Sequence, residues 1–131
     1  MDSLFIIIDD NRDGHFVLER ALFRHYPTAT THDYRDFESA RDPLTALPED
    51  GGRAVVLLHR TPALEGAALV RAVRGVHPSV PIVALGHPAM AKEALAAGAT
   101  RFLDYEAWLG LGTMVKELER ARENLTKSSS A

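Results

Sequence analysis

Three short runs, apolar from end to end, constrain this chain more than any other feature: Leu4-Phe5-Ile6-Ile7-Ile8, Ala54-Val55-Val56-Leu57-Leu58 and Ile82-Val83-Ala84-Leu85. Successive side chains of a strand point to opposite faces, so a strand apolar at every position must be covered on both sides. That requirement selects a parallel sheet between two layers of helices. Two weaker strands fit the same scheme, a polar Thr28-Ala29-Thr30-Thr31 suited to an edge and Arg101-Phe102-Leu103 near the end of the chain.

Helical segments separate these strands. Asn11 or Asp13 can cap a helix over about Gly14 to Tyr26, with Val17, Leu18, Ala21, Leu22 and His25 inward and Pro27 as its stop. The stretch Asp36 to Leu47 reads as two short helical pieces, the second restarting at Asp42-Pro43. Leu69, Val73 and Val76 mark one face of a helix over Gly66 to His77. An alanine-rich helix opens at Pro88 and closes at Gly98, and a last one spans about Leu109 to Asn124. The result is β-α repeated five times. This is an α/β chain of the flavodoxin-like (βα)5 type, a three-layer sandwich with expected strand order 2-1-3-4-5. Residues 1–124 form the domain, and 125–131 form a polar, serine-rich tail or linker.

Composition narrows the function. At 131 residues the chain suits one domain, and 46% hydrophobic residues suffice for a core. The absence of cysteine excludes a disulfide scaffold, a thiol nucleophile and a cysteine-bound zinc. A net charge of −3 with acids and bases interspersed offers no basic face for nucleic acid. No run approaches the length of a membrane span and no signal peptide is legible, so the expected compartment is the cytoplasm.

In this architecture ligands meet the carboxyl ends of the strands. Those ends hold Asp9-Asp10, Leu58-His59, Gly86-His87 and Asp104-Tyr105. Here the chain resembles a known family. Phe5 to Asn11, Val55 to Gly66 with Pro62, Pro81 to Gly86, and Ala94 to Leu103 resemble the first strand, third strand and loop, fourth strand, and fourth helix with fifth strand of response-regulator receiver domains. The resemblance spans about residues 4 to 122. It implies a two-component (phosphorelay) signalling module in which an aspartate at the end of strand three takes a phosphoryl group. Two acids after strand one hold magnesium there, and a hydroxyl residue and a lysine grip the phosphoryl oxygens.

The acids stand here as Asp9 and Asp10. A gapless match on Pro62 and Gly66 puts Leu58 at the acceptor position; the hydroxyl position falls on Gly86, and the lysine position, seven residues after Gly98, on Tyr105. Leucine has no nucleophile, glycine has no hydroxyl, and tyrosine is neutral near pH 7. The resemblance therefore implies a pseudo-receiver: no enzyme, not phosphorylated in the usual way, and acting by protein contact. A one-residue slip would place His59 at the acceptor position, giving a second reading in which a histidine takes the phosphoryl group. A third reading, a small flavodoxin-like ligand-binding protein, lacks a glycine-rich phosphate loop after strand one.

Two uses of the acidic pair stay open. Asp9 and Asp10 can bind magnesium weakly with no other cofactor, or one can cap a helix while the other pairs with a base such as Arg60. His59 and His87, on the same rim, can complete a transition-metal site or serve as half-buried polar residues. Phe102, Tyr105 and Trp108 can anchor a protein partner or a homodimer through the face of helix four, strand five and helix five, or pack on the core.

Overall fold

The computed structural model describes residues 3–60 and 66–130. Five parallel strands form one sheet in the order β2-β1-β3-β4-β5, as expected. They are β1 (Leu4–Asp9), β2 (Thr30–Tyr34), β3 (Ala54–His59), β4 (Ile82–Gly86) and β5 (Arg101–Asp104). The helices are α1 (Arg12–Phe23), α2 (Phe37–Thr45), α3 (Gly66–Val76), α4 (Ala91–Ala97) and α5 (Leu111–Ser130). Single 3-10 segments, Pro88–Met90 and Tyr105–Gly110, lead into α4 and α5.

The period of two along each strand divides the core. Phe5, Ile7, Val55, Leu57, Val83 and Leu85 pack with Leu18 and Leu22 of α1 and Leu111, Val115 and Leu118 of α5. Ile6, Ile8, Val56, Leu58, Ile82 and Ala84 pack on the opposite face, with Leu44 of α2, Leu69 and Val73 of α3, and Ala94 of α4. Continuous apolar runs are thus consumed by two cores, each removing roughly 25 cal/mol of free energy per Å² of apolar area buried.

Several boundaries differ from the sequence expectation, each for a local reason. Asn11 caps α1 by accepting the Asp13 N–H, so the helix starts at Arg12 and is complete at Phe23. His25 therefore lies beyond the last turn and is exposed rather than inward. Its ring instead covers Gly112 of α5, where a β-carbon would stand 2.1 Å from Cδ2. The second strand runs later than Thr28–Thr31 and sits at the sheet edge as its polarity implies.

Residues 37–45 form one helix, not two. Asp36 caps it through the Ser39 N–H at 2.9 Å, and Pro43 lies inside it. A proline near the end of a helix forfeits one backbone bond without ending the helix at once. At the other terminus, α5 continues past Asn124 to Ser130, through most of the stretch read as a tail. The loop carrying Pro62, on which the gapless match relied, falls at 61–65, outside the described residues. Among the described residues no helix is long and apolar enough to cross a membrane.

Candidate functional site

Asp9 ends β1 on the side of the sheet that α1 and α5 cover, and its side chain is 0% exposed. A buried carboxylate is costly unless its oxygens are satisfied. Here Oδ1 accepts the Asn11 N–H at 2.8 Å, and Oδ2 accepts from Nδ1 of His59 at 3.1 Å. The Asp9 carbonyl accepts from Nε2 of His15 at 2.6 Å. Gly14, in the first turn of α1, makes room for the carboxylate, since a β-carbon there would stand 2.1 Å from Oδ2. One aspartate thereby ties the end of β1, the helix cap and the end of β3 together.

The β3 partner is decided by register. Ile8 of β1 stands opposite Leu58, and Asp9 stands opposite His59. Side chains of laterally paired residues point to the same face. Leu58, 2% exposed, therefore packs with Ile8 in the core beneath α3 and α4 and turns away from the acidic pocket. This corrects the placement implied by the gapless match: the residue of β3 that faces Asp9 is His59, not Leu58. Across from it, the ring of Tyr105 stacks on the imidazole with centroids 4.1 Å apart and planes 15° from parallel. Burial, then the negative charges of Asp9 and Asp13, push the Tyr105 phenol upward from its usual value. It stays neutral near pH 7 and supplies no countercharge.

The other expected residues divide. Asp9, Asp10 and His59 each place one ligand atom within 4.8 Å of the others, the one such group of potential metal ligands among the described residues. His87 does not join it, because its Nδ1 accepts the Ala89 N–H and caps the 3-10 turn before α4. Gly86 is buried on the other side of β4, where a β-carbon would meet Met90 and the Phe102 ring at ordinary contact distances. Arg60 lines a groove with Asp36, Phe37 and Leu69.

The receiver-type magnesium site finds a mixed donor set here. Magnesium prefers six oxygens in near-octahedral array. Two carboxylates and an imidazole nitrogen converge instead, with one carboxylate oxygen already held by that nitrogen. The residues present do not fit magnesium well.

The expected aromatic face is also divided. Phe102 packs on the α3–α4 side of the sheet, whereas Tyr105 and Trp108 pack on the α1–α5 side. Trp108 joins Phe16, Phe23 and Leu109 instead, around a groove of about 620 Å³ rimmed by Glu19, Arg20 and Arg24. Phe16, Phe23 and Leu109 are each more than half exposed, whereas large exposed apolar side chains are usually scattered singly.

Sequence reading missed His15 and Glu19. Nδ1 of His15 lies 3.2 Å from Asp33 of β2, though not in hydrogen-bonding geometry. The Glu19 carboxyl is raised to about 7, first by its hydrogen bond with Asp33, then by burial. A histidine and a glutamate one turn apart on α1 are a faint local signal, and only the β2 edge makes them a cluster.

No protein-family model matches the sequence, and no curated protein does. Solved structures do resemble it. A response regulator from Thermotoga maritima is 16% identical, with TM-score 0.71 over 89% of this chain and 97% of that one. The receiver domain of the putative response regulator NarL from Mycobacterium tuberculosis is 23% identical, with TM-score 0.67 over 91% and 97%. A response regulator from Hahella chejuensis is 21% identical, with TM-score 0.66 over 87% and 92%. At these identities the likeness is one of architecture: the chain has the flavodoxin-like fold that these receiver domains share.

Proposed function

We propose that the chain is a receiver-like signalling module that takes no phosphoryl group on an aspartate and works through protein contact. One observation carries this reading. The β3 side chain facing Asp9 is an imidazole, hydrogen-bonded to Asp9 and stacked on Tyr105, where transfer to an aspartate needs a free carboxylate. Gly86 offers no hydroxyl, and the phenol of Tyr105, held neutral, offers no cation. A contact role is supported by the apolar groove of Phe16, Phe23, Trp108 and Leu109. The fold by itself would not support it, because such folds host many functions.

Incubation with acetyl phosphate and magnesium, followed by intact mass, tests the reading. The expected spectrum contains unmodified protein alone. A phosphoryl adduct that is stable in base and lost in His59→Ala would replace the reading with phosphotransfer to histidine. An adduct labile in base, as acyl phosphates are, would overturn it outright.

A further inference from the structure

We infer that the pocket between the ends of β1 and β3 binds a borderline divalent cation of the zinc, cobalt and nickel class in preference to magnesium, through Asp9, Asp10 and His59. This does not rest on the contact role proposed above, which concerns the groove of Phe16, Phe23, Trp108 and Leu109.

The donor set argues for the class. Imidazole suits zinc, cobalt and nickel, whereas magnesium favours oxygen alone and gives up its waters reluctantly. Asp9, Asp10 and His59 supply two carboxylates and one imidazole from two neighbouring strand ends, all within 4.8 Å of one another.

The spacing argues for a site. Two atoms bound to one ion at about 2.0–2.1 Å stand roughly 2.8–3.4 Å apart at octahedral or tetrahedral angles. Oδ2 of Asp9 and Nδ1 of His59 are 3.1 Å apart. One edge of a coordination polyhedron therefore has its length in place, and the ion would sit beside the line along which the ring N–H now donates. Binding frees Nδ1 of that proton, which Nε2 carries in the neutral ring or which water takes from an imidazolium.

The surroundings argue for preorganisation. Stacking on Tyr105 fixes the plane of the His59 ring, and the Asn11 N–H holds the second oxygen of Asp9. Outer contacts that orient an imidazole and a carboxylate are what metal sites use to aim their ligands. His59 is 14% exposed and Asp10 is exposed, so the ion enters from the Asp10 side. Three protein ligands leave at least one position for water or for a donor from a partner.

The test is calorimetric titration of the chelator-treated, full-length protein with zinc, cobalt and magnesium separately, with the visible absorption of bound cobalt recorded in parallel. Zinc and cobalt should bind at least about 100-fold more tightly than magnesium. His59→Ala should abolish the cobalt spectrum, and His87→Ala should leave it unchanged. Tyr105→Ala should weaken cobalt binding by about 10- to 100-fold, as loss of an orienting contact does. Should His59→Ala not fold, imidazole resonances of the wild-type protein serve instead, and His59 must shift on adding zinc. Equal or tighter magnesium binding, a cobalt spectrum that survives His59→Ala, or an unmoved His59 resonance would each overturn the inference. None of these outcomes bears on whether acetyl phosphate modifies the protein.

Discussion

An aspartate can be introduced at either of two adjacent positions of β3, and the structure gives the two substitutions opposite consequences. Leu58 is 2% exposed among Ile8, Val56, Leu69 and Ala84. Leu58→Asp removes a buried leucine, which alone costs about 2–5 kcal/mol. It also leaves a carboxylate in an apolar layer with no partner, which adds further cost even if the group takes up a proton. A total of at least about 4 kcal/mol is a large part of the 5–15 kcal/mol that holds a typical domain together. The melting temperature should fall by roughly 10–20 °C, or the protein should not fold. His59→Asp instead puts the new carboxylate at the rim beside Asp9 and Asp10. It forfeits the bond to Asp9, about 1–3 kcal/mol, and the stack on Tyr105, about 0.5–1.5 kcal/mol. It also creates an all-carboxylate pocket whose repulsion a cation relieves. This variant should fold, melt roughly 4–20 °C below wild type in chelator, and, unlike Leu58→Asp, regain part of the loss when magnesium is added. Thermal melts of both variants with chelator and with magnesium decide the matter. A Leu58→Asp protein that melts near wild type, or that alone gains stability from magnesium, would refute the register on which the site rests.

Three further outcomes follow from particular contacts. Gly14→Ala forces a β-carbon onto the Asp9 carboxylate and should cost about 1–3 kcal/mol in urea unfolding, whereas a change under about 0.5 kcal/mol would show that Asp9 does not sit where described. Arg74 donates to the carbonyls of Gly98, His77 and Val80 and to the Thr100 hydroxyl, clasping α3 to the segments that flank β4. Arg74→Met should cost about 2–4 kcal/mol by leaving these acceptors unpaired, measured by the urea midpoint at constant slope. Glu19 binds its proton more tightly folded, at about 7, than at its ordinary value of 4.5, so stability contributed by that proton is full below about 4.5 and lost as pH rises through 7. Glu19→Gln should therefore flatten the fall in stability between pH 5 and 8, and an unchanged slope would remove Glu19 as its source.

How much of this was legible beforehand depends on the range of the interactions. Runs such as Ile6-Ile7-Ile8 and Val55-Val56-Leu57 declare buried strands because every position must be covered, and helices between them leave little choice but a parallel sheet. The acidic pair at the end of β1 was equally plain. The end of α1 is not legible because the periodicity of His25 continues past the place where the helix finishes, and Pro43 is ambiguous because a proline late in a helix resembles one at its start.

Amino-acid order alone therefore determined the five βα units, the two-sided burial of the central strands and the acidic rim at their carboxyl ends. What it left undecided was which of two neighbours on β3 meets Asp9. In a strand, a shift of one residue exchanges the two faces completely, and both Leu58 and His59 satisfy the local pattern. Only the lateral pairing of β1 with β3, a contact between residues fifty positions apart, sends leucine into the core and histidine to the carboxylate.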